Sequence, residues 1–296
     1  KDQIRGWFNL LMVASVLGFD KTSFKAVYMH GFINDAQGRK MSKSLGNYIL
    51  PEEVLEEFGA DTFRYYSIAC ANPAMDMNYN KEDVVVRHRN LMVLWNLHNY
   101  FLDLCKQHDL VPEEISLTQL GAEERFILSR LEHTKKQLTE SLNGYLLNTP
   151  PDLVERFYLD LSRTYIQMVR EKAAFGSQRE KQLVVNVLGK CLLDTLQMFS
   201  VVCPYISEAM FLHVKDLFEL KEESVHLMDW PLVDKKLLDT PLEESMASAR
   251  DLVAAILSAR DSGKMGVRWP VQKVVVSCSK EHEEKLTNLL SLVEGL

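Results

Sequence analysis

The sequence predicts a mainly α-helical fold with a small α/β part at each end. Between residues 81 and 202, apolar residues recur at helical spacing in four long segments with short connections, which is typical of an antiparallel bundle. Near the start, a helical stripe is followed by a short strand-like run, as in the last unit of an α/β sheet. Near the end, residues 271–277 have the β-branched content of another strand.

The composition is that of a folded protein with more than one domain. Of its 296 residues, 47% are hydrophobic and 25% are charged, which excludes intrinsic disorder and collagen. A net charge of −7 excludes a uniformly basic nucleic-acid-binding surface. The longest uncharged run, residues 6–19, is shorter than the roughly 20 residues of a membrane helix, so we expect a soluble protein and interpret this run as a buried helix.

The five cysteines are scattered along the chain, and no pair has the spacing of a zinc site or a redox motif. An odd number of cysteines in apolar surroundings is typical of reduced thiols in the core of a cytoplasmic protein. We therefore predict a cytoplasmic protein and no metal site.

The first 79 residues are predicted to form an α/β unit made of a helix, a buried strand, an exposed turn and two short helices. Pro51 suits the first turn of a helix, and Gly59 suits a helix end. No strand signal follows before residue 80. The predicted elements lie, in chain order, at residues 4–14, 25–30, 35–38, 52–58 and 60–71.

Residues 80–223 are predicted to form the bundle. Asn80 can cap its first helix, Gly144 ends the second, and Pro204 ends the fourth and opens a shorter helix to about residue 218. The four long helices are predicted at residues 81–105, 123–143, 152–174 and 178–202.

Residues 224–296 are predicted to form a third, small α/β part. It begins with an irregular crossing segment, and a capping box then opens a helix that runs to residue 262. A strand and a last helix follow. These four features are predicted at residues 225–231, 240–243, 271–277 and 280–293.

The segment most informative about chemistry is residues 38–47, which we call the basic loop. It holds three cations and two hydroxyl groups within six residues, and no acid occurs between Asp35 and Glu52. Three long charged side chains cannot be buried without partners, whereas lysines, hydroxyls and backbone amides together can bind a polyphosphate. On composition alone, a solvated surface turn is an equally good interpretation.

The order of the residues in the basic loop resembles a known motif. Residues 40–44 read K-M-S-K-S, the signature of class I aminoacyl-tRNA synthetases, and the residues around them resemble the isoleucyl members, with a general shape similar to archaeal or eukaryotic types. Valyl and leucyl members share the signature and the bundle but differ in the opening segment. The segments that carry the resemblance are residues 2–8, 28–33, 38–39, 45–47, 59–61, 159–165, 203–206, 224–231 and 267–271.

The resemblance covers essentially the whole chain and implies the C-terminal portion of an isoleucyl-type enzyme. Residues 1–79 would be the end of a Rossmann-type α/β catalytic domain, residues 80–223 an anticodon-binding bundle, and residues 224–296 a C-terminal junction. The first half of the nucleotide-binding fold and the editing domain have no counterpart in this sequence, and they would be its partners. The chain alone would be inactive.

The implied reaction is the activation of L-isoleucine by ATP with Mg²⁺ to the aminoacyl-adenylate, followed by transfer to tRNA(Ile). Two alternatives stay open. One is a non-catalytic helical tRNA-binding module, and the other is the valyl-tRNA synthetase counterpart.

The resemblance also implies roles for individual residues. Lys43 first and Lys40 second would neutralise the departing pyrophosphate. Trp7 and Gln3 would serve the isoleucine pocket, although without the resemblance Trp7 would be interpreted as ordinary core. His30 would lie against ATP or, alternatively, hydrogen-bond the backbone at a strand end, and Met41 is expected to pack rather than react. The implied ATP-binding residues are His30, Gly31, Met41, Ser42, Lys43 and Ser44.

A stretch of the bundle is the best candidate for contact with tRNA phosphates. Between residues 161 and 181 there are five cations and only two acids. A solvated helix face with neighbouring ion pairs is the alternative. The five cations are Arg163, Arg170, Lys172, Arg179 and Lys181.

Overall fold

The computed structural model of the protein describes residues 2–266, 269–287 and 289. Over this part the fold is mainly α-helical, as predicted, and it contains one small parallel sheet. None of the helices in these ranges is both long and apolar enough to span a bilayer. The helices are α1 (Trp7–Phe19), α2 (Pro51–Phe58), α3 (Ala60–Cys70), α4 (Lys81–His108), α5 (Ala122–Asn143), α6 (Pro150–Asp160), α7 (Ile166–Phe175), α8 (Gln178–Phe199), α9 (Pro204–Val214), α10 (Thr240–Ser262) and α11 (Lys280–Thr287).

Helix α1 forms, but the prediction that it is buried is wrong. None of its residues is buried, and Trp7 and Leu17 are 62% and 82% exposed. The helix is apolar on all sides rather than along one stripe, so one neighbour cannot cover it. Its Phe8 ring meets Phe24 at a centroid distance of 5.6 Å.

The strand predicted at residues 25–30 does not form, because these residues are irregular and half-buried or exposed. The strand lies a few residues later, at β1 (Ile33–Asn34), and pairs in parallel with β2 (Met77–Asn78). Hydrogen bonds extend the pairing on both sides, from the Gly31 amide to the Met75 carbonyl (2.7 Å) and from the Tyr79 amide to the Asn34 carbonyl (2.9 Å). The sequence did not indicate β2, because two residues carry no periodicity and pairing across more than 40 residues leaves no local signal.

The short helices after the basic loop follow their predicted ends. Pro51 occupies the first turn of α2, and Gly59, with φ of 81°, ends that helix before α3 begins. The Asn80 side chain caps α4 by accepting a hydrogen bond from the Glu82 amide at 2.9 Å. Behind the basic loop these elements bury a small core, whose buried members are Val54, Tyr66, Met77, Tyr79 and Val84.

Helices α4 to α9 pack around the main core of the molecule. The third predicted bundle helix is not one regular helix, because a π-helical segment, Leu161–Tyr165, joins α6 to α7. Helix α8 starts with a capping box in which the Ser177 hydroxyl accepts from the Glu180 amide and the Glu180 carboxylate accepts from the Ser177 amide. Helix α9 is followed by a short 3₁₀ turn, Lys215–Phe218.

The C-terminal part differs from its prediction in two ways. Asp239, not Thr240, caps α10, because its carboxylate accepts from the Leu242 amide at 3.1 Å. The strand predicted at residues 271–277 does not form, because the described C-terminal residues contain no second strand with which it could pair. The C-terminal part is therefore not the α/β piece that was predicted. Two of these predictions lie partly outside the described residues. They are the resembling segment 267–271, at residues 267–268, and the last predicted helix, at residues 288 and 290–293.

All five cysteines are free thiols, and their surroundings agree only in part with the prediction of core positions. Cys105, Cys191 and Cys203 are buried, and burial raises the pKa of the Cys105 thiol to about 11. Cys278, however, is exposed. In the part of the chain with described side chains, no cluster of three metal-ligating groups occurs.

Candidate functional site

The basic loop is folded around the carboxylate of Asp35, whose side chain is 7% exposed. This carboxylate accepts hydrogen bonds from the amides of Gln37 (3.1 Å) and Arg39 (2.8 Å), from Arg39 Nε (2.8 Å) and from Asn47 Nδ2 (2.9 Å). The bond from Asn47, the contacts of Arg39 and its positive charge lower the pKa of Asp35 to about 2, although burial opposes them. The carboxylate therefore stays ionised at neutral pH and holds the start of the loop against its end.

The backbone of the basic loop is largely satisfied from within. Asn47 Oδ1 accepts from the Ser42 amide at 3.0 Å, and its Nδ2 also donates to the Lys40 carbonyl at 3.2 Å. The Ser42 hydroxyl accepts from the Leu45 amide at 3.3 Å and so caps a 3₁₀ turn, Lys43–Leu45. Gly46 ends this turn with φ of 62°, where a side chain would be strained.

The two lysines of the motif are the free charges of this loop. Both are exposed, and neither forms an ion pair with any described residue, whereas Arg39 is paired with Asp35. Lys40 Nζ lies 5.9 Å from the centroid of the Phe32 ring, and Lys43 is in the 3₁₀ turn. Two unpaired ammonium groups on a closed loop are suited to bind the oxygens of a polyphosphate.

The other implied ATP-binding residues of the loop differ in exposure. The hydroxyls of Ser42 and Ser44 lie 3.3 Å apart beside the lysines, so they remain candidates for a phosphate contact. Met41 instead packs against the small core beneath the loop, as expected of a residue that packs rather than reacts. Its side chain anchors the middle of the motif to that core.

His30 and Gly31 are placed by the parallel pairing rather than by a cavity of their own. His30 Nδ1 donates to the Gly31 carbonyl at 2.8 Å, which is the backbone contact that the alternative interpretation describes. A Cβ on Gly31 would lie 2.2 Å from Asp76 Oδ1 and 2.3 Å from the Met75 carbonyl, so the segment that leads into β2 requires this glycine. His30 also lines an apolar cleft of about 470 Å³ between β1, α3 and the bundle.

Gln3 and Trp7 lie together at the start of α1. Gln3 Oε1 accepts a hydrogen bond from the Trp7 amide at 3.3 Å, and both side chains are exposed. No hydrogen bond or ring contact joins either residue to the basic loop in the ranges that the structure covers. The interpretation of Trp7 as ordinary core is wrong for this chain, because the residue is 62% exposed.

The five cations predicted as one stripe divide into free and partnered groups. Lys172 Nζ lies 3.1 Å from Glu123 and 3.2 Å from Glu124, two carboxylates of α5. The charge of Lys172 is therefore neutralised within the chain, unlike those of the other four cations. Burial opposes its charge, but the two glutamates raise the pKa of Lys172 above its usual value. The other four, which form no ion pair with any described residue, are Arg163, Arg170, Arg179 and Lys181.

Comparison with known families matches two segments of the chain. Residues 1–80 match the model of class I tRNA synthetases (I, L, M and V), and residues 124–276 match the anticodon-binding domain of tRNA ligase. The first match contains the basic loop, and the second contains most of the bundle. The chain therefore belongs to the class I aminoacyl-tRNA synthetase family.

Individual relatives place the chain more narrowly. It is 37% identical to the isoleucine–tRNA ligase of Methanosarcina mazei over 99% of this chain. It is 31% identical to that of Pyrococcus horikoshii, again over 99% of its length. These archaeal relatives bear out the resemblance to isoleucyl members, and the chain spans 28% of the length of each.

Two solved structures share the fold. One is a ternary complex of the Agrobacterium radiobacter LeuRS with tRNA and LeuAMS, with a TM-score of 0.60, 22% identity and coverage of 78% of this chain and 27% of that one. The other is methionyl-tRNA synthetase of Mycobacterium tuberculosis with methionyl-adenylate, with a TM-score of 0.58, 19% identity and coverage of 71% and 42%. At these identities the likeness concerns the fold alone.

Proposed function

We propose that this chain supplies the ATP-binding loop and the tRNA-binding helices of an isoleucine–tRNA ligase. The observation that carries the proposal is the basic loop, where Lys40 and Lys43 stay exposed and unpaired among the described residues while the backbone beneath them is closed. Residues 1–79 would act as the end of the catalytic domain, residues 80–223 as the anticodon-binding bundle, and residues 224–296 as the junction. The names of the archaeal relatives support isoleucine as the substrate.

The chemistry assigned to the loop is stabilisation of the leaving group. The carboxylate of isoleucine attacks the α-phosphate of Mg-ATP, the bond to the β-phosphate breaks, and negative charge develops on the departing pyrophosphate. Lys43, with Lys40, neutralises that charge, and the hydroxyls of Ser42 and Ser44 donate to phosphate oxygens. The isoleucyl group is then transferred to the terminal adenosine of tRNA(Ile), in the cytoplasm.

The amino-acid and adenine ends of the substrates are assigned to the start of the chain. Trp7 and Gln3 are proposed to line the isoleucine pocket, and the exposed faces of these side chains support that use. His30 and Gly31 are proposed to lie against ATP. With Nδ1 of His30 occupied by the Gly31 carbonyl, Nε2 is the ring nitrogen that remains for a ligand. The upstream half of the catalytic domain and the editing domain would complete the site.

The test is Lys43→Ala in the full-length protein, measured by isoleucine-dependent ATP–pyrophosphate exchange. Loss of one group that stabilises transition-state charge should slow exchange by about 10²–10³-fold. The matched control is Lys136→Ala, at an exposed lysine on α5, which should leave exchange unchanged. Near-normal exchange in Lys43→Ala would contradict the role of Lys43. Faster exchange with valine would favour the valyl counterpart, and no exchange with any amino acid would favour the non-catalytic module.

The tRNA surface has its own test in the full-length protein, the salt dependence of binding to tRNA(Ile). Each phosphate contact that is lost should reduce the slope of log K against log salt by about 0.7–0.9. Arg170→Ala is therefore expected to lower the slope, as is Arg163→Ala. Lys172→Gln should leave it unchanged, because Glu123 and Glu124 already neutralise Lys172. Equal slopes for all three variants would show that residues 163 and 170 do not contact tRNA phosphates.

A further inference from the structure

Asp35 and Asn47 flank the K-M-S-K-S motif, and neither side chain is exposed to solvent as a ligand-binding side chain would be. Asp35 is buried and Asn47 is half-buried, while the lysines between them face solvent. Their side chains meet through the hydrogen bond from Asn47 Nδ2 to Asp35 Oδ2, which joins two residues that lie twelve positions apart in the sequence. The interaction therefore concerns the shape of the loop rather than direct contact with a substrate.

We propose that Asp35 and Asn47 form a brace that fixes the basic loop in the conformation in which Lys40 and Lys43 act, so that both are positioning residues for the ATP step. The inference rests on the proposed function, since it concerns how those lysines are held. The brace is defined here as the side chains of residues 35 and 47 with their mutual hydrogen bond.

The hydrogen bonds of Asn47 explain why an amide is needed at this position. Its oxygen accepts from the Ser42 amide and its nitrogen donates both to Asp35 and to the Lys40 carbonyl. Lys40 and Ser42 lie on either side of Met41, so one side chain holds the backbone of the first half of the motif. Aspartate cannot donate and alanine can do neither, so only an amide satisfies all three partners.

Asp35 holds the opposite side of the same loop. Besides Asn47 it binds the amides of Gln37 and Arg39, which fixes the turn that leads into the motif. Gly38, with φ of 78°, allows that turn. Met41 packed in the small core adds a third point of attachment. The ammonium groups thus project from a backbone held at three points, and such preorganisation matters most when charge develops in the transition state.

The experiment exchanges the two partners in the full-length protein. Asn47→Asp removes the donor and places two carboxylates face to face, and Asp35→Asn removes the charge that Asn47 and Arg39 bind. We expect each to lower kcat of isoleucine-dependent exchange by up to about 10²-fold, the cost of misplaced catalytic groups, with a smaller change in KM for ATP. In the double variant the new amide at position 35 can donate to the new carboxylate at position 47. That carboxylate can still accept from the Ser42 amide, so kcat should recover at least in part.

A second measurement separates the brace from the function of the lysines. Amide hydrogen exchange at residues 39–47 should accelerate in each single variant and slow again in the double variant. The control Asn96→Asp, an exposed asparagine on α4, should change neither property. A double variant no better than the single ones in kcat and in amide exchange would overturn the brace. If Lys43→Ala proved normal while amide exchange followed this pattern, the proposed function would fail and the brace would lose only its catalytic role.

Discussion

The basic loop and the bundle place the same kind of side chain in opposite surroundings. In the bundle, Lys135 is 2% exposed, and its ammonium lies 2.7 Å from both Glu132 and Asp194 and 3.2 Å from the Leu232 carbonyl. In the basic loop, Lys40 and Lys43 face solvent and lack ion-pair partners among the described residues. A lysine enclosed by its own chain is already occupied by intramolecular contacts, whereas one left unpaired is available to a ligand.

Packing differs between the bundle and the start of the chain. Helix α8 buries thirteen of its 22 residues, whereas α1, with a more apolar sequence, buries none of its 13. Helix α8 contacts α4, α5, α7 and α9, which cover it on several sides. Apolar content therefore does not determine burial by itself, because burial requires facing elements that exclude water.

Removal of the buried lysine should give the largest change in stability. Lys135→Ala leaves the buried Glu132 without a cation and Asp194 with Lys190 alone, at 3.2 Å, and breaking a buried pair in this way costs about 3–5 kcal/mol. The free energy of unfolding by urea measures it. Lys136→Ala, its exposed neighbour, should change that free energy by less than about 0.5 kcal/mol. Equal losses in the two variants would mean that the buried contacts contribute nothing beyond an ordinary surface lysine.

A buried histidine should make the bundle sensitive to acid. His98 is fully buried and stacks on His213 with 5.2 Å between ring centroids. Burial first, and the charge of His213 second, lower the pKa of His98 to about 4. Between that value and the ordinary 6.5 the unfolded chain binds more protons, so stability should fall as the pH is lowered through this window, by about 3 kcal/mol in all.

Two variants test whether His98 causes this pH dependence, by comparison of how their stability changes with pH. His98→Leu should unfold with a pH slope reduced between pH 4 and 6.5, because the group that titrates is gone. His226→Leu, at an exposed position, should keep the slope of the parent protein. An unchanged slope in His98→Leu would assign the acid sensitivity to other groups.

Most helix ends were predictable because their signals are local. Asn80 before α4, Pro51 at the start of α2 and Gly59 at its end each act within one turn of the residue that reveals them. The K-M-S-K-S motif is also local, and it is typical of the family. These features require no knowledge of what lies next to them in space.

The parts that escaped prediction depend on distant partners. In the sequence Lys172 looks like a free cation, because its partner Glu124 lies 48 residues earlier. The strand β2 exists only because residues 29–34 lie alongside it. Asp35 did carry a usable signal, since aspartate three residues before Gly38 is typical of a turn, but its bond to Asn47 lies twelve residues away.

Two glycines near the start of the chain test, with the smallest expected effects, where this part of the molecule is closely packed. Gly31→Ala should drive a Cβ against Asp76 and Met75, at a cost of about 1–3 kcal/mol, and so weaken the pairing of β1 with β2. Gly18→Ala on α1 meets nothing within 4 Å, so its higher helix propensity should stabilise that helix by about 0.5–1 kcal/mol. Amide hydrogen exchange should accelerate at Met77 in the first variant and slow within α1 in the second. Slower exchange at Met77 in Gly31→Ala would show that the close approach of the two segments does not require glycine.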